Sequence, residues 1–178
     1  MIRGVRRLPP GCALRFKDGR ATVTPYWALP VPTVDAARGS RAEAVADTRR
    51  LLDEAVASRL DAEVPVGVFL SGGIDSSAIA AFAARRGPVR SFTLRPHDAN
   101  FDEGEAAREL ATALGTEHVE VRADAAAIAE GFETVFARID EPIGDSSLVP
   151  PWLLSRGAGE RVKVALGGEG ADELFGGY

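Results

Sequence analysis

The sequence predicts an α/β protein: a parallel sheet with helices on both faces, preceded by a short β-hairpin. Three observations predict it. From residue 40 onward, short apolar runs alternate with stretches of helical periodicity, the pattern of units whose strands lie parallel. A glycine-rich turn, Ser71-Gly72-Gly73, follows the first of those runs and opens a helix of small residues. Before residue 30, by contrast, two short extended runs are joined through Asp18-Gly19, a pair that favours a tight hairpin turn.

The hairpin strands are expected at residues 13–16 and 21–24. Two strands alone are marginal, so they either pack on another element or belong to a larger sheet. Residues 25–39 hold three prolines, Pro25, Pro30 and Pro32, and read as a linker, placed at 31–39. A helix follows from Ser40, with Val45, Leu52, Val56 and Leu60 on one face. Residues 64–70 form a buried strand, 76–86 a small-residue helix stopped by Gly87-Pro88, and 89–94 the next strand. Asp102 and Glu105 stand at capping-box-like spacing before a helix through Leu110 and Leu114, which Gly115 ends. Residues 116–121 alternate as a strand. Asp124 opens a helix whose Ile128, Phe132, Val135, Phe136 and Ile139 form a stripe expected to be core. A loop at 141–147, a helix containing Trp152, a strand at 161–166 and a second glycine-rich stretch from Gly167 complete the chain.

Composition narrows the function. The 178 residues are 46% hydrophobic, enough for a core. A net charge of −5 and scattered arginine pairs exclude a nucleic-acid partner, which needs clustered cations. One cysteine, Cys12, expected as a buried thiol in the first strand, excludes an internal disulfide and a multi-thiolate zinc site. His97 and His118 are too far apart in sequence to suggest a metal pair; His97 reads as solvated and His118 as structural. No segment has the roughly 20 apolar residues of a membrane span, and the N-terminus has no apolar signal core; a cytoplasmic location is expected.

In open parallel sheets ligands bind beyond the carboxyl ends of the strands where strand order reverses. If the reversal lies between the strand ending at Leu70 and the one ending at Leu166, the two glycine-rich stretches become opposite walls of one crevice. Ser71-Gly72-Gly73-Ile74-Asp75-Ser76-Ser77 runs from a strand into a helix N-terminus, where backbone N–H groups and the positive helix end attract anions. Glycines let a phosphate approach the main chain, and the serines add donors. Asp75 would repel phosphates unless a Mg²⁺ lies between them. A Walker loop and a dinucleotide fingerprint are excluded by spacing. A serine-capped structural turn is the alternative reading.

The loop resembles the pyrophosphatase-type (PP) loop of ATP-dependent ligases. Ser91-Phe92-Thr93-Leu94, Phe101-Asp102-Glu103, Leu114-Gly115-Thr116-Glu117-His118, the segment from Asp140 to Ser147 and the segment from Gly168 to Tyr178 resemble, in order, the synthetase domain of B-type, glutamine-hydrolysing asparagine synthetases. That resemblance spans residues 40–178. Leu8-Pro9-Pro10-Gly11 and Tyr26-Trp27 resemble the last strands of the family's glutaminase domain, so residues 1–30 are expected to be its remnant.

The resemblance implies a PP-loop fold of the adenine-nucleotide α-hydrolase type. It implies that Leu70, Ser71, Gly72, Gly73, Asp75 and Ser76 hold ATP phosphates, with Thr93 and Leu94 against adenine. Gly167 and Gly168 would close the opposite wall, Asp75 and Asp172 would ligate Mg²⁺, and Glu169 would lie beside the activated carboxylate as the catalytic residue. For Asp172 and Glu173 a solvated acidic turn is the alternative. Phe175 and Tyr178 are expected to pack. The implied reaction activates a carboxylate, aspartate in the main case, as an acyl-adenylate with release of pyrophosphate; ammonia from glutamine then displaces AMP. The implied partners are these small molecules and, in the complete protein, a second copy as a homodimer.

The chain departs from the family at residue 2, which is Ile2 where the family's glutaminase has its catalytic cysteine. With Lys17 and Lys163 as the only lysines and Tyr178 directly after the second glycine stretch, the chain is expected to be a truncated piece, inactive alone. A non-catalytic nucleotide-binding fragment, or a relative of β-lactam synthetases and peptide cyclases, are the other readings.

Overall fold

The structure, a computed structural model, describes residues 3–30, 39–96, 103–140, 143–144 and 146–177. Contacts divide the chain into two units, Met1–Ala44 and Val45–Tyr178. Most of the expected linker, His97, Asp102, Glu141, Pro142, Asp145 and Tyr178 lie outside the described residues.

In the first unit β1 (Cys12–Lys17) pairs antiparallel with β2 (Arg20–Pro25), in register from Cys12 opposite Pro25 to Lys17 opposite Arg20. Asp18 and Gly19 both have positive φ, 51° and 74°, as the favoured two-residue turn requires. Tyr26 N–H donates to the Gly11 carbonyl (2.8 Å), tying the open end. Leu14, Phe16 and Val23 are exposed, and Cys12 is half-buried instead of buried. A ribbon of two strands has no second layer of its own to cover them.

The helix α1 (Arg41–Leu60) begins with a reciprocal cap: Ser40 N–H donates to Glu43 Oε2 (2.6 Å) and Glu43 N–H to Ser40 Oγ (3.3 Å). Of its expected apolar face only Val56 is fully buried; Leu52 and Leu60 are half-buried and Val45 is exposed. Next come β3 (Val66–Phe69), α2 (Ile74–Ala84), β4 (Arg90–Pro96), α3 (Gly104–Leu114) and β5 (Glu117–Ala123). The chain then forms α4 (Ala125–Phe136), α5 (Val149–Ala158), β6 (Val164–Leu166) and α6 (Ala171–Phe175).

The four strands of this unit form one sheet in the order β5-β4-β3-β6, every pair parallel. Strand order therefore reverses between β3 and β6, as expected. Side-chain alternation sorts the core into two layers. Val68 and Leu70 pack with Val56, Ala80, Ala83 and Ala107, against α1, α2 and α3. Phe92 packs with Ala158 and Val162 on the opposite face, with Phe69 at their edge; burying such a phenyl ring is worth about 1.5–3 kcal/mol. Ala123, Val149 and Leu153 close that second face beneath α4 and α5.

Several local expectations are corrected. The helix α2 starts at Ile74, two residues before Ser76, because Gly73 already holds the extended geometry of a cap (φ −70°, ψ 161°). The residue capping α3 is Glu103, without a side-chain bond, so Glu105 is not in capping-box position and instead pairs with Arg108 (2.9 Å). Gly115 does end α3 in the left-handed conformation, φ 68°. Asp124 caps α4 as expected, accepting from Ala127 N–H (2.8 Å).

The α4 stripe is not core as a whole. Phe132 and Phe136 are 40% and 46% exposed and stack on each other (5.6 Å between centroids). Val135 and Ile139 are half-buried, and only Ile128 of the five packs into the cluster around Val149. The buried residue of α4 is Gly131, where a Cβ would meet Val149 Cγ1 at 2.7 Å. Close approach of α5 selects that glycine, and the rotation this imposes turns the phenylalanines outward. Phe175, expected to pack, is likewise exposed.

Candidate nucleotide site

The loop after β3 is held by its own serines. Ser76 is buried, and its hydroxyl accepts from Ser71 N–H (3.1 Å), donates to the Gly73 carbonyl (3.2 Å) and contacts Ser71 Oγ (2.9 Å). Gly73 N–H donates to Ser71 Oγ (3.3 Å), and Ser77 Oγ donates to the Gly73 carbonyl. These bonds bend residues 71–73 back over the start of α2. Gly72 sits at φ +85°, and its Cα faces α3 so closely that a Cβ would lie 2.9 Å from Ala106 Cβ and 3.3 Å from Ala107 N. A side chain there is excluded twice, by conformation and by space.

No side chain caps α2. The first-turn N–H groups of Ile74, Asp75 and Ser76 have no carbonyl one turn back to accept them, so the helix end presents donors and a partial positive charge. The Asp75 carboxylate is exposed at that end. Ile74 is 87% exposed.

The second glycine-rich stretch reaches this loop directly. A Cβ on Gly168 would lie 2.9 Å from Asp75 Cβ and 2.9 Å from Ser76 N, and Gly167 borders Phe69 at the end of β3. Beyond Gly168, Glu169 is exposed and Gly170 turns at φ +90° into α6. Asp172, half-buried in the first turn of α6, accepts at its carbonyl from Gly176 N–H (2.8 Å) and Gly177 N–H (3.1 Å), and its Oδ1 lies against Gly177. Leu70, the loop, Gly167 and Gly168 are therefore brought together. Glu169 and Asp172 are carried on the same connection.

On the other side of β3, Thr93 is buried and its hydroxyl donates to the Leu70 carbonyl, while Leu70 N–H donates to the Phe92 carbonyl (2.9 Å). Leu94 packs on the α4–α5 layer. The Thr93 hydroxyl is thus committed to holding the strand that launches the loop.

Mg²⁺ keeps most of its water and phosphate ligands and takes one or two carboxylates from a protein, so an oxygen-only set drawn from Asp75 and Asp172 suits it by donor chemistry. Among the described residues no group of three or more His, Cys, Asp and Glu could hold a metal by itself.

Sequence reading missed two pairs of contributors. Ala106 and Ala107 wall the loop from α3; their small size was the available signal. Ser91, which is buried, links the half-buried Thr116 and His118 through its hydroxyl. The His118 pKa is lowered: burial is the main cause, with the Arg108 and Arg95 charges adding to it and Glu120 opposing. For Glu120 burial acts upward, but bonds and charges from Arg108 and Arg95 outweigh it and hold the carboxyl below its ordinary range.

The asparagine synthase family model matches residues 47–178. The chain belongs to the asparagine synthase family. It is 40% identical over 179 residues to a Mycobacterium tuberculosis (strain ATCC 25618 / H37Rv) protein provisionally named asparagine synthetase (glutamine-hydrolyzing), covering 99% of this chain and 28% of that protein. It is 32% identical to asparagine synthetase (glutamine-hydrolyzing) 1 of Bacillus subtilis (strain 168), covering 98% of this chain and 27% of the relative. The chain thus spans a little over a quarter of these curated relatives. Among solved structures it resembles the NH3-dependent NAD synthetase of Campylobacter jejuni, with a TM-score of 0.51, 19% identity, and coverage of 75% of this chain and 60% of that one. At that identity the likeness establishes the fold, the PP-loop α/β architecture expected for the family.

Proposed function

We propose that this asparagine synthase-family chain binds Mg²⁺–ATP in the crevice between β3 and β6, as the nucleotide-binding part of an ATP-dependent amide-forming ligase. The supporting observation is the contact of Gly168 with Asp75 and Ser76 N, which joins the two glycine-rich stretches at the reversal of strand order. In this reading the uncapped N–H groups of α2 and the main chain of Gly72 and Gly73 hold the phosphates. Asp75 and Asp172 hold Mg²⁺, which supplies charge neutralisation at the pyrophosphate leaving group.

The ligase carries a carboxylate, aspartate first among candidates, to the α-phosphorus; a carboxylate oxygen forms the new bond and pyrophosphate leaves. Ammonia, drawn from glutamine in the full-length protein, then displaces AMP and leaves an amide. The chain's own contribution is positioning and charge stabilisation. Ser71 and Ser76 bond each other and the loop, so neither serves as a nucleophile. In this reading Glu169, exposed next to Gly168, contacts the activated carboxylate.

Calorimetric titration of the 178-residue chain with ATP, with and without Mg²⁺, tests the nucleotide part. Carboxylate-dependent exchange of labelled pyrophosphate into ATP tests the ligase part. Absence of saturable ATP binding would overturn the proposal. Binding without exchange would leave a nucleotide-binding part only, and exchange with a carboxylate other than aspartate would reassign the substrate.

A further inference from the structure

We propose that His118 is a pH-sensitive positioning residue for the loop 71–77, acting through α3. His118 lies on β5, the edge strand of the sheet, opposite Ser91 of β4. Its Nδ1 is 2.8 Å from Ser91 Oγ, which is 2.7 Å from Thr116 Oγ1. Thr116 in turn reaches the Ala111 carbonyl of α3 with both its N–H (3.0 Å) and its hydroxyl (3.4 Å). Ser91 is fully buried, and among the described residues His118 Nε2 is the one buried side-chain nitrogen or oxygen without a hydrogen-bond partner.

That geometry selects one protonation state. With the proton on Nδ1, His118 donates to Ser91, Ser91 to Thr116, and Thr116 to the α3 carbonyl. Every hydroxyl is then used in one direction, and Nε2 carries only a lone pair. Protonation adds a second N–H at Nε2, a buried donor with no acceptor, and an unmade buried hydrogen bond costs the full desolvation of the group. The surrounding charges give little relief. Arg95 of β4 and Arg108 of α3 both bond Glu120 of β5 (3.1 and 2.6 Å), so the carboxylate that acts on the ring is already engaged by two arginines, and Arg108 also bonds Glu105 of α3 (2.9 Å).

A charged imidazole is relieved by separating α3 from the sheet edge and admitting water. The same helix supplies the wall of the loop, since Ala106 and Ala107 stand where a Gly72 side chain would be. Ala107 and Ala111 are both fully buried, so α3 carries a displacement at its Ala111 end along to Ala107. The loop's geometry thus depends on the charge of His118, whichever anion the loop holds.

The test is an NMR titration of the intact chain, following the His118 ring together with the amides of Gly72 and Ala107. Gly159, at the end of α5 on the opposite face, is the control. Expected are a His118 midpoint below the ordinary value of about 6.5, Gly72 and Ala107 shifts with that same midpoint, and a silent Gly159. In His118→Asn, which keeps a donor to Ser91 but cannot titrate, the Gly72 and Ala107 transitions are lost. Should that variant fail to fold, His118→Gln, which also keeps a side-chain donor and cannot titrate, is read in the same way. A Gly72 amide that stays flat through the His118 titration overturns the proposal, as does a transition that survives in the variants or is shared by Gly159.

Discussion

Gly168 and Asp75 touch at a spacing that leaves no room for a side chain, since a Cβ on the glycine would fall 2.9 Å from that of the aspartate. The two residues come from connections after different strands, β6 and β3, which are neighbours only because strand order reverses there. Their contact turns two separate glycine-rich stretches into the two sides of one crevice. It also sets the width of that crevice, which is the property the first substitution probes.

Gly168→Ala is expected to push the β6 connection away from α2, because the neighbouring atoms include the Ser76 backbone, which cannot rotate aside. Such overpacking costs about 1–3 kcal/mol. Urea unfolding should register that loss, and calorimetry should register ATP binding weakened roughly tenfold, equivalent to about 1.4 kcal/mol. Unchanged affinity would separate the crevice from nucleotide binding.

Ser76→Ala removes the acceptor for Ser71 N–H and the donor to the Gly73 carbonyl. The expected cost is about 1–3 kcal/mol from the Ser71 N–H left unpaired, since the Gly73 carbonyl still accepts from Ser77. If Ser76 acts chiefly by shaping the loop, Ser71 and Gly73 amides should exchange faster with solvent even without nucleotide. Unaltered exchange would return Ser76 to a direct phosphate contact.

Asp75→Asn is expected to lower ATP affinity when Mg²⁺ is present and to leave it the same or higher in EDTA, where the carboxylate only repels phosphate. The predicted loss of the Mg²⁺-dependent gain is roughly tenfold. A variant whose affinity falls equally with and without Mg²⁺ would count against Asp75 as a ligand.

Gly131→Ala and Phe132→Ala form a contrasting pair on adjacent residues of α4. The first places a methyl 2.7 Å from Val149 Cγ1 and is expected to destabilise by about 1–3 kcal/mol despite the better helix propensity of alanine. The second truncates a ring that is 40% exposed, and so should cost less than the roughly 3–5 kcal/mol of a buried phenylalanine. Thermal unfolding of both variants decides the order.

Acidification should reduce stability in two stages. The His118 pKa is depressed on folding, so the unfolded chain takes up its proton first. Stability is complete above the unfolded value near 6.5 and falls as pH drops from there toward the lower folded value. Glu120 is also depressed, and its contribution, present above the unfolded value near 4.5, is lost as pH falls through the folded one. Urea midpoints measured against pH should lose the first stage in His118→Asn and the second in Glu120→Gln.

Much of this was legible along the chain. The Asp18-Gly19 turn, the Asp124 cap and the Gly115 stop are chemistry between residues a few positions apart, and the structure has them as expected. The apolar run through Leu70 and the glycine turn after it located the loop, and the alternation of strands and helices implied parallel pairing. The misread helix faces share one cause. Periodicity reports which residues share a face, and the partner packed against a helix decides which face is buried. Thus α4 buries Gly131 and leaves Phe132 exposed, and α1 buries Val56 and leaves Val45 exposed.

The sequence by itself determined the class of fold, the family and the candidate phosphate loop, because turn signals, periodicity and motif spacing are local properties of a chain. Only the tertiary structure decided which segments meet. It put Gly168 on Asp75, set Ala106 and Ala107 of α3 behind Gly72, and left the half-buried His118 with an unpartnered buried nitrogen. Those contacts join strands and helices far apart in sequence. They arise from strand order and close packing of whole elements, which no local pattern encodes.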